Sequence, residues 1–156
     1  MTLELASRRV LLVGSSGGHL AQLVPLADLW RPEGRAWVTF ATPDARSLLA
    51  DESVTWAYSP TTRNIWNLLR NTLLAWRVLR EVNPEVVVST GAGVALPFFA
   101  LARLRRVRTV YVEVFDRIDS TTLTARLCRP FTDLMLLQWP EQLALYPHGH
   151  VIGPLL

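Results

Sequence analysis

The sequence predicts an α/β chain: a Rossmann-like, doubly wound parallel sheet. Apolar, β-branched runs alternate with helical patterns along the whole length. The runs show no in–out alternation, as expected of strands covered on both faces. Several of them pass directly into glycine- and serine-rich turns that open a helix, the signature of repeated βα units.

The elements follow in order. Residues 9–14 (RVLLVG) form a buried strand that runs into Ser15, Ser16, Gly17, Gly18 and His19, and a helical pattern carries on through Leu20, Leu23, Leu26 and Trp30. Residues 36–41 (AWVTFA) are a strand, 44–50 a short helix, and 54–58 another strand. A long helix spans 65–82 and stops at Asn83-Pro84, because proline restricts the residue before it and cannot continue a helix. Residues 85–90 (EVVVST) are a strand, followed by Gly91-Ala92-Gly93 and a helix over 94–104. Residues 109–114 (TVYVEV) are a strand, 121–128 a helix, and 134–138 a strand. No internal repeat and no linker interrupts the pattern. Residues 1–156 therefore read as a single Rossmann-like domain.

Composition narrows the class. Half of the 156 residues are apolar and 19% are charged, with a mean hydropathy of +0.22, which excludes a disordered tail or a fibre. No apolar run reaches the ~18–20 residues of a membrane span, and the start lacks the features of a signal peptide, so a cytoplasmic domain is expected. The single cysteine, Cys128, excludes an intramolecular disulfide and a cysteine-based zinc site. His148 and His150 lack metal-ligand spacing and read as surface turn residues; no metal and no cofactor are expected. The net charge of +3 and the pI near 9.7 come from arginine alone, since the chain has no lysine. The arginines sit beside apolar stripes, and no nucleic-acid motif is present, so no nucleic-acid partner is expected.

Ligands of open α/β sheets bind beyond the carboxyl ends of the strands, and three segments stand there. Gly14, Ser15, Ser16, Gly17, Gly18 and His19 follow the first strand. Glycines let a backbone approach an anion, and a helix N-terminus offers free N–H groups; a plain turn for tight helix packing is the other reading. The loop is neither GxGxxG nor a lysine-bearing phosphate loop. Strand two ends in Phe40-Ala41-Thr42 without the acid a nicotinamide dinucleotide would require, Asp44 coming only after Pro43. Ser89, Thr90, Gly91, Ala92 and Gly93 supply a second such loop, so a diphosphate could be held between the two. Glu113 ends an apolar strand and Arg117 follows; the carboxylate could orient a sugar hydroxyl, raise the basicity of His19, or cap a neighbouring helix.

The helix over 65–82 carries two apolar stripes. Leu68, Ala75, Leu79 and Val82 suit packing on the sheet. Ile65, Trp66, Leu69, Leu73 and Trp76, edged by Arg70, Arg77 and Arg80, suit an anionic bilayer surface, a wider core, or a protein partner. In the helix over 94–104, the apolar run 94–101, followed by Arg103, Arg105, Arg106 and Arg108, carries the same signature.

These motifs occur together in a known order. Residues 13–20 (VGSSGGHL), 89–93 (STGAG), Tyr111-Val112-Glu113 with Arg117, residues 138–141 (QWPE) and Tyr146-Pro147 resemble the acceptor-side, membrane-associated subunits of two-component UDP-sugar transferases. These include the bacterial PssD/CpsF-like polysaccharide proteins and the membrane-anchoring subunit of the eukaryotic dolichyl-diphosphate N-acetylglucosamine transferase. More distantly the chain is similar to the N-terminal half of MurG. The resemblance covers residues 8–156. It implies a GT-B enzyme of glycosyltransferase family 28 split over two chains, with the donor nucleotide-sugar on a separate Rossmann partner and this chain inactive without it. The polyprenyl-diphosphate saccharide acceptor would lie on this chain, docked peripherally at the cytoplasmic face of an anionic membrane, because residues 1–8 cannot supply a spanning helix. The resemblance makes His19 a base or a diphosphate ligand, places Glu113 and Arg117 on the family's strand-end motif, and gives the two glycine loops the diphosphate. Val114, Asp116 and Thr121 depart from the residues common in relatives. Two rival readings are a non-catalytic membrane scaffold for the partner and a nucleotide-dependent oxidoreductase.

Overall fold

A computed structural model describes residues 7–156. The expectation about residues 1–8 rests on residues 1–6, which lie outside the described ones.

The strands are β1 (Val10–Val13), β2 (Arg35–Phe40), β3 (Val54–Ala57), β4 (Val86–Ser89), β5 (Arg108–Val112), β6 (Leu134–Leu137) and β7 (His150–Val151). The helices are α1 (Gly18–Ala27), α2 (Pro43–Leu48), α3 (Ile65–Val82), α4 (Ala95–Leu104) and α5 (Leu123–Cys128). All seven strands form one parallel sheet in the order β3-β2-β1-β4-β5-β6-β7. The order reverses between β1 and β4, and that is where a doubly wound sheet opens a ligand crevice.

Parallel pairing explains why the strands are apolar throughout. In β1, Leu11 and Val13 face a core built with Leu79 of α3 and Phe98 and Phe99 of α4, while Val10 and Leu12 face Leu20, Leu23 and Leu26 of α1. Both faces are dry, so a polar alternation would leave unpaired groups. β7 was not expected: His150 is a strand residue at the sheet edge, and both of its residues are exposed.

Helix α3 keeps its expected bounds but turns a different face inward. Asn64 caps its start by accepting from Asn67 N at 2.9 Å, and Asn83 ends it in the left-handed region at φ 46°. Its buried residues are Asn67, Asn71, Leu74, Ala75, Val78 and Leu79, whereas Leu68 is 37% exposed instead of packing on the sheet. Backbone demand explains the change. Asn71 donates to Tyr58 O and accepts from Tyr58 N, both at 2.9 Å, and Asn67 donates to Pro60 O at 2.9 Å. The two amides satisfy the loop that leaves β3, and leucine could not. The stripe Ile65, Trp66, Leu69, Leu73 and Trp76 is exposed, with Arg70 and Arg77 exposed beside it. Helix α4 departs from the surface expectation: Ala95, Pro97, Phe98, Phe99 and Ala102 are buried core residues, and of its apolar residues only Leu104 at its end is strongly exposed. No described helix is long and apolar enough to cross a membrane.

Candidate functional site

The loops that follow β1, β3 and β4, together with the start of α5, meet at the carboxyl edge of the sheet around a cleft of about 510 Å³. Ser15 and His19 line it from α1's side, Gly93 from the β4 loop, and Thr61, Thr62 and Thr122 from the loops before α3 and α5. Helices α3, α4 and α5 all begin at this edge, so their N-terminal ends bias the cleft toward anions. The lining is rich in hydroxyls. Thr61, Thr62, Ser59, Thr122 and Thr124 were missed from the sequence, although hydroxyl clusters directly before predicted helices were the available signal.

His19 joins the two glycine loops. Its Nδ1 lies 2.8 Å from the Thr90 carbonyl, and the Thr90 hydroxyl donates to His19 O at 2.9 Å. A carbonyl only accepts, so Nδ1 carries the proton and the neutral ring presents a lone pair on Nε2. Nε2 has no hydrogen-bond partner among the described residues. Burial lowers the imidazole pKa, and the hydrogen bond to Thr90 only partly offsets this. The carboxylate that raises the basicity of His19 is Asp116 and not Glu113 as expected, and desolvation outweighs it, so the ring stays neutral at neutral pH.

The glycines have distinct tasks. A Cβ on Gly14 would stand 2.8 Å from Leu23 Cδ1, so a side chain in the tight passage from β1 to α1 would have to displace the buried end of Leu23. Gly91 sits at φ +103°, and a Cβ would come within 2.4 Å of the Tyr111 hydroxyl. Not every expected donor is free. Gly17 N donates to Asp44 Oδ2 at 3.3 Å, and Gly91 N donates to Ser89 Oγ at 3.0 Å. Ser16 is half-buried and Gly18 is exposed, and neither lines the cleft, while Thr90 is fully buried in the clamp on His19.

Glu113 does not lie against the imidazole as expected. Strand alternation sends it, like Tyr111, toward the α3–α5 side, where it is only 1% exposed. Its Oε2 accepts from the Tyr146 hydroxyl and its Oε1 from Val114 N at 3.1 Å. Burial raises its pKa, against the opposing pull of the Tyr146 hydrogen bond. A carboxylate so enclosed braces the strand end and cannot reach a sugar hydroxyl. Arg117 is exposed on the loop after β5, and both it and Asp116 are near enough to His19 to act on its proton equilibrium through their charges.

A seven-stranded parallel sheet with a glycine-loop cleft at its switch point defines the Rossmann-like half of a GT-B fold. Solved structures agree with that class. MurG of Acinetobacter baumannii superposes with a TM-score of 0.68 at 16% identity, over 85% of this chain and 42% of that one. The UDP-N-acetylglucosamine 2-epimerase of Rickettsia bellii superposes with a TM-score of 0.71 at 11% identity, over 95% of this chain and 45% of that one. Residues 53–155 match the family described as "Oligosaccharide biosynthesis protein Alg14 like", and the chain belongs to that family. The UDP-N-acetylglucosamine transferase subunit alg14 of Schizosaccharomyces pombe is 30% identical over 120 residues, which cover 73% of this chain and 54% of the relative. The chain thus spans about half the length of that curated relative.

Proposed function

We propose that this chain is the acceptor-binding, membrane-docking subunit of a two-component inverting glycosyltransferase. The donor would be a UDP-sugar held by a separate Rossmann chain, and the acceptor a saccharide on a polyprenyl diphosphate. The observation that carries the reading is the unpartnered Nε2 of a neutral His19 inside a hydroxyl-lined cleft at the switch point. Family membership and the relative's name support a transferase subunit.

In this reading His19 Nε2 removes the proton of the acceptor hydroxyl as that oxygen attacks the donor's anomeric carbon, while the anomeric C–O bond to the diphosphate breaks and UDP leaves with the electron pair. Nδ1–H···O=C of Thr90 orients the ring and stabilises the imidazolium that forms. The acceptor diphosphate lies among Ser15, Gly93, Thr61 and Thr122, where helix N-termini favour negative charge, and the exposed Arg117 is near enough for its charge to act on His19. The exposed stripe on α3 begins just beyond Thr62, so a lipid attached to that diphosphate would leave the cleft toward Ile65 and Trp66. That stripe, with Arg70 and Arg77, would hold the subunit peripherally on the cytoplasmic face of an anionic membrane.

Reconstitution tests the proposal. Transfer to a lipid-diphosphate saccharide should require both chains, and His19→Ala should cut turnover by roughly 10²–10⁴-fold. A change confined to the acceptor KM would make His19 a diphosphate ligand instead. Robust turnover by this chain alone would overturn the split-enzyme reading.

A further inference from the structure

Three buried glutamines form a network that the mechanism above does not use. Gln22, Gln138 and Gln142 are at most 2% exposed, and every one of their amide groups is hydrogen-bonded. Gln22 Oε1 accepts from Phe115 N at 3.1 Å and from Gln138 Nε2, while its Nε2 donates to Gly18 O at 3.2 Å, next to His19. Gln138 Nε2 also donates to Glu113 O at 3.0 Å. Gln142 Nε2 donates to both Val114 O and Arg117 O at 3.0 Å, and its Oε1 accepts from Gln138 N at 2.8 Å and Trp139 N at 3.2 Å. The backbone of residues 113–117 therefore hangs on side-chain amides from α1 and from the turn after β6. Such a strut is costly to bury unless it is complete, and here it is complete.

We infer that Gln22, Gln138 and Gln142 are positioning residues that tie loop 114–117 to α1 and thereby hold Arg117 at the His19 side of the cleft, ready for the acceptor's diphosphate. The inference rests on the acceptor reading above and assigns the precision of Arg117 to residues that never touch the ligand. Without the strut, the loop would keep only β5 and the Trp139 Nε1 donation to Phe115 O at 2.8 Å, and the exposed guanidinium two residues further on would sample many positions.

Glutamine's two ends make the test selective. Gln142→Glu keeps the acceptor for Gln138 N and Trp139 N but replaces the donor to Val114 O and Arg117 O with a repelling oxygen. Gln22→Glu keeps its acceptor contacts and loses only the bond to Gly18 O. The probe is farnesyl diphosphate, titrated calorimetrically into the purified chain, with amide exchange read at residues 115–117. Gln142→Glu should speed exchange there at least about tenfold and weaken farnesyl diphosphate binding roughly 5–50-fold, with the melting transition still cooperative. Gln22→Glu should keep Phe115 protected. Arg117→Gln should weaken binding to the same degree, and adding Gln142→Glu to it should cost nothing more, because both act through one guanidinium. Additive losses, or faster exchange with unchanged binding, would overturn the positioning role. Should buried charge unfold Gln142→Glu, the neutral Gln22→Met removes the partner of Phe115 N and is judged by the same readouts. Wild-type protein that binds no farnesyl diphosphate would sink the acceptor reading itself, whatever the exchange data show.

Discussion

Replacing Trp66 and Trp76 together by serine should release the protein from acidic vesicles and leave its fold intact. Trp66 is 71% exposed and Trp76 48%, and a tryptophan side chain offers up to about 250 Å², so on the order of 300 Å² of indole surface faces water. At about 25 cal/mol per Å² that area is worth about 7 kcal/mol if fully inserted. Insertion of half of it gives about 3–4 kcal/mol, a fall of two to three orders of magnitude in the partition coefficient. The folding cost is small because neither ring leaves the core; the main loss is the packing of Arg105 over Trp76 at 5.9 Å, about 0.5–1 kcal/mol. A loss of that size lowers Tm by no more than about 4 °C in a chain this long. The assay is co-sedimentation with vesicles of graded acidic-lipid content, with thermal melts in parallel. Added salt should weaken the share due to Arg70 and Arg77 and leave the tryptophan share in place. A folded double variant that still sediments like wild type would refute membrane docking by α3. A variant that unfolds would show that the stripe is structural.

Three further outcomes are expected. Since burial lowers the His19 pKa, the acid limb of kcat/KM should fall below pH 6.5 and vanish in His19→Ala; by linkage, the stability the neutral ring contributes is present above pH 6.5 and lost as pH falls through its folded value, read from pH-dependent melts. Glu113 is shifted the other way, so its contribution is full below pH 4.5 and lost as pH rises through its folded value; Glu113→Gln should flatten that dependence and gain relative stability at pH 8, and an unchanged pH profile would contradict the burial argument. Gly91→Ala, at φ +103° and with a Cβ 2.4 Å from the Tyr111 hydroxyl, should cost about 2–4 kcal/mol in denaturant melts, partly restored by Tyr111→Phe if the clash contributes.

The helix α3 and the cleft together mark the boundary between sequence and tertiary information. Strand and helix order, the two glycine loops and the family motifs are local in the chain, because β-branched runs, glycine turns and Asn-Pro stops act over a few residues. Among the described residues, eleven of the twelve strands and α-helices were legible for that reason; β7 was not, since two exposed residues have no pattern until β6 is beside them. The face that α3 buries depended on which distant backbone needed partners: residues 58 and 60 drew Asn67 and Asn71 inward and left Leu68 outside. Glu113 went to the Tyr146 side by strand alternation together with a tyrosine 33 residues away, and the clamp between His19 and Thr90 spans 71 residues. Residue types and local order were thus set by the sequence near each position. Which side chain meets which carbonyl was decided only when the chain closed, because a buried polar group must find its partner wherever the fold brings one.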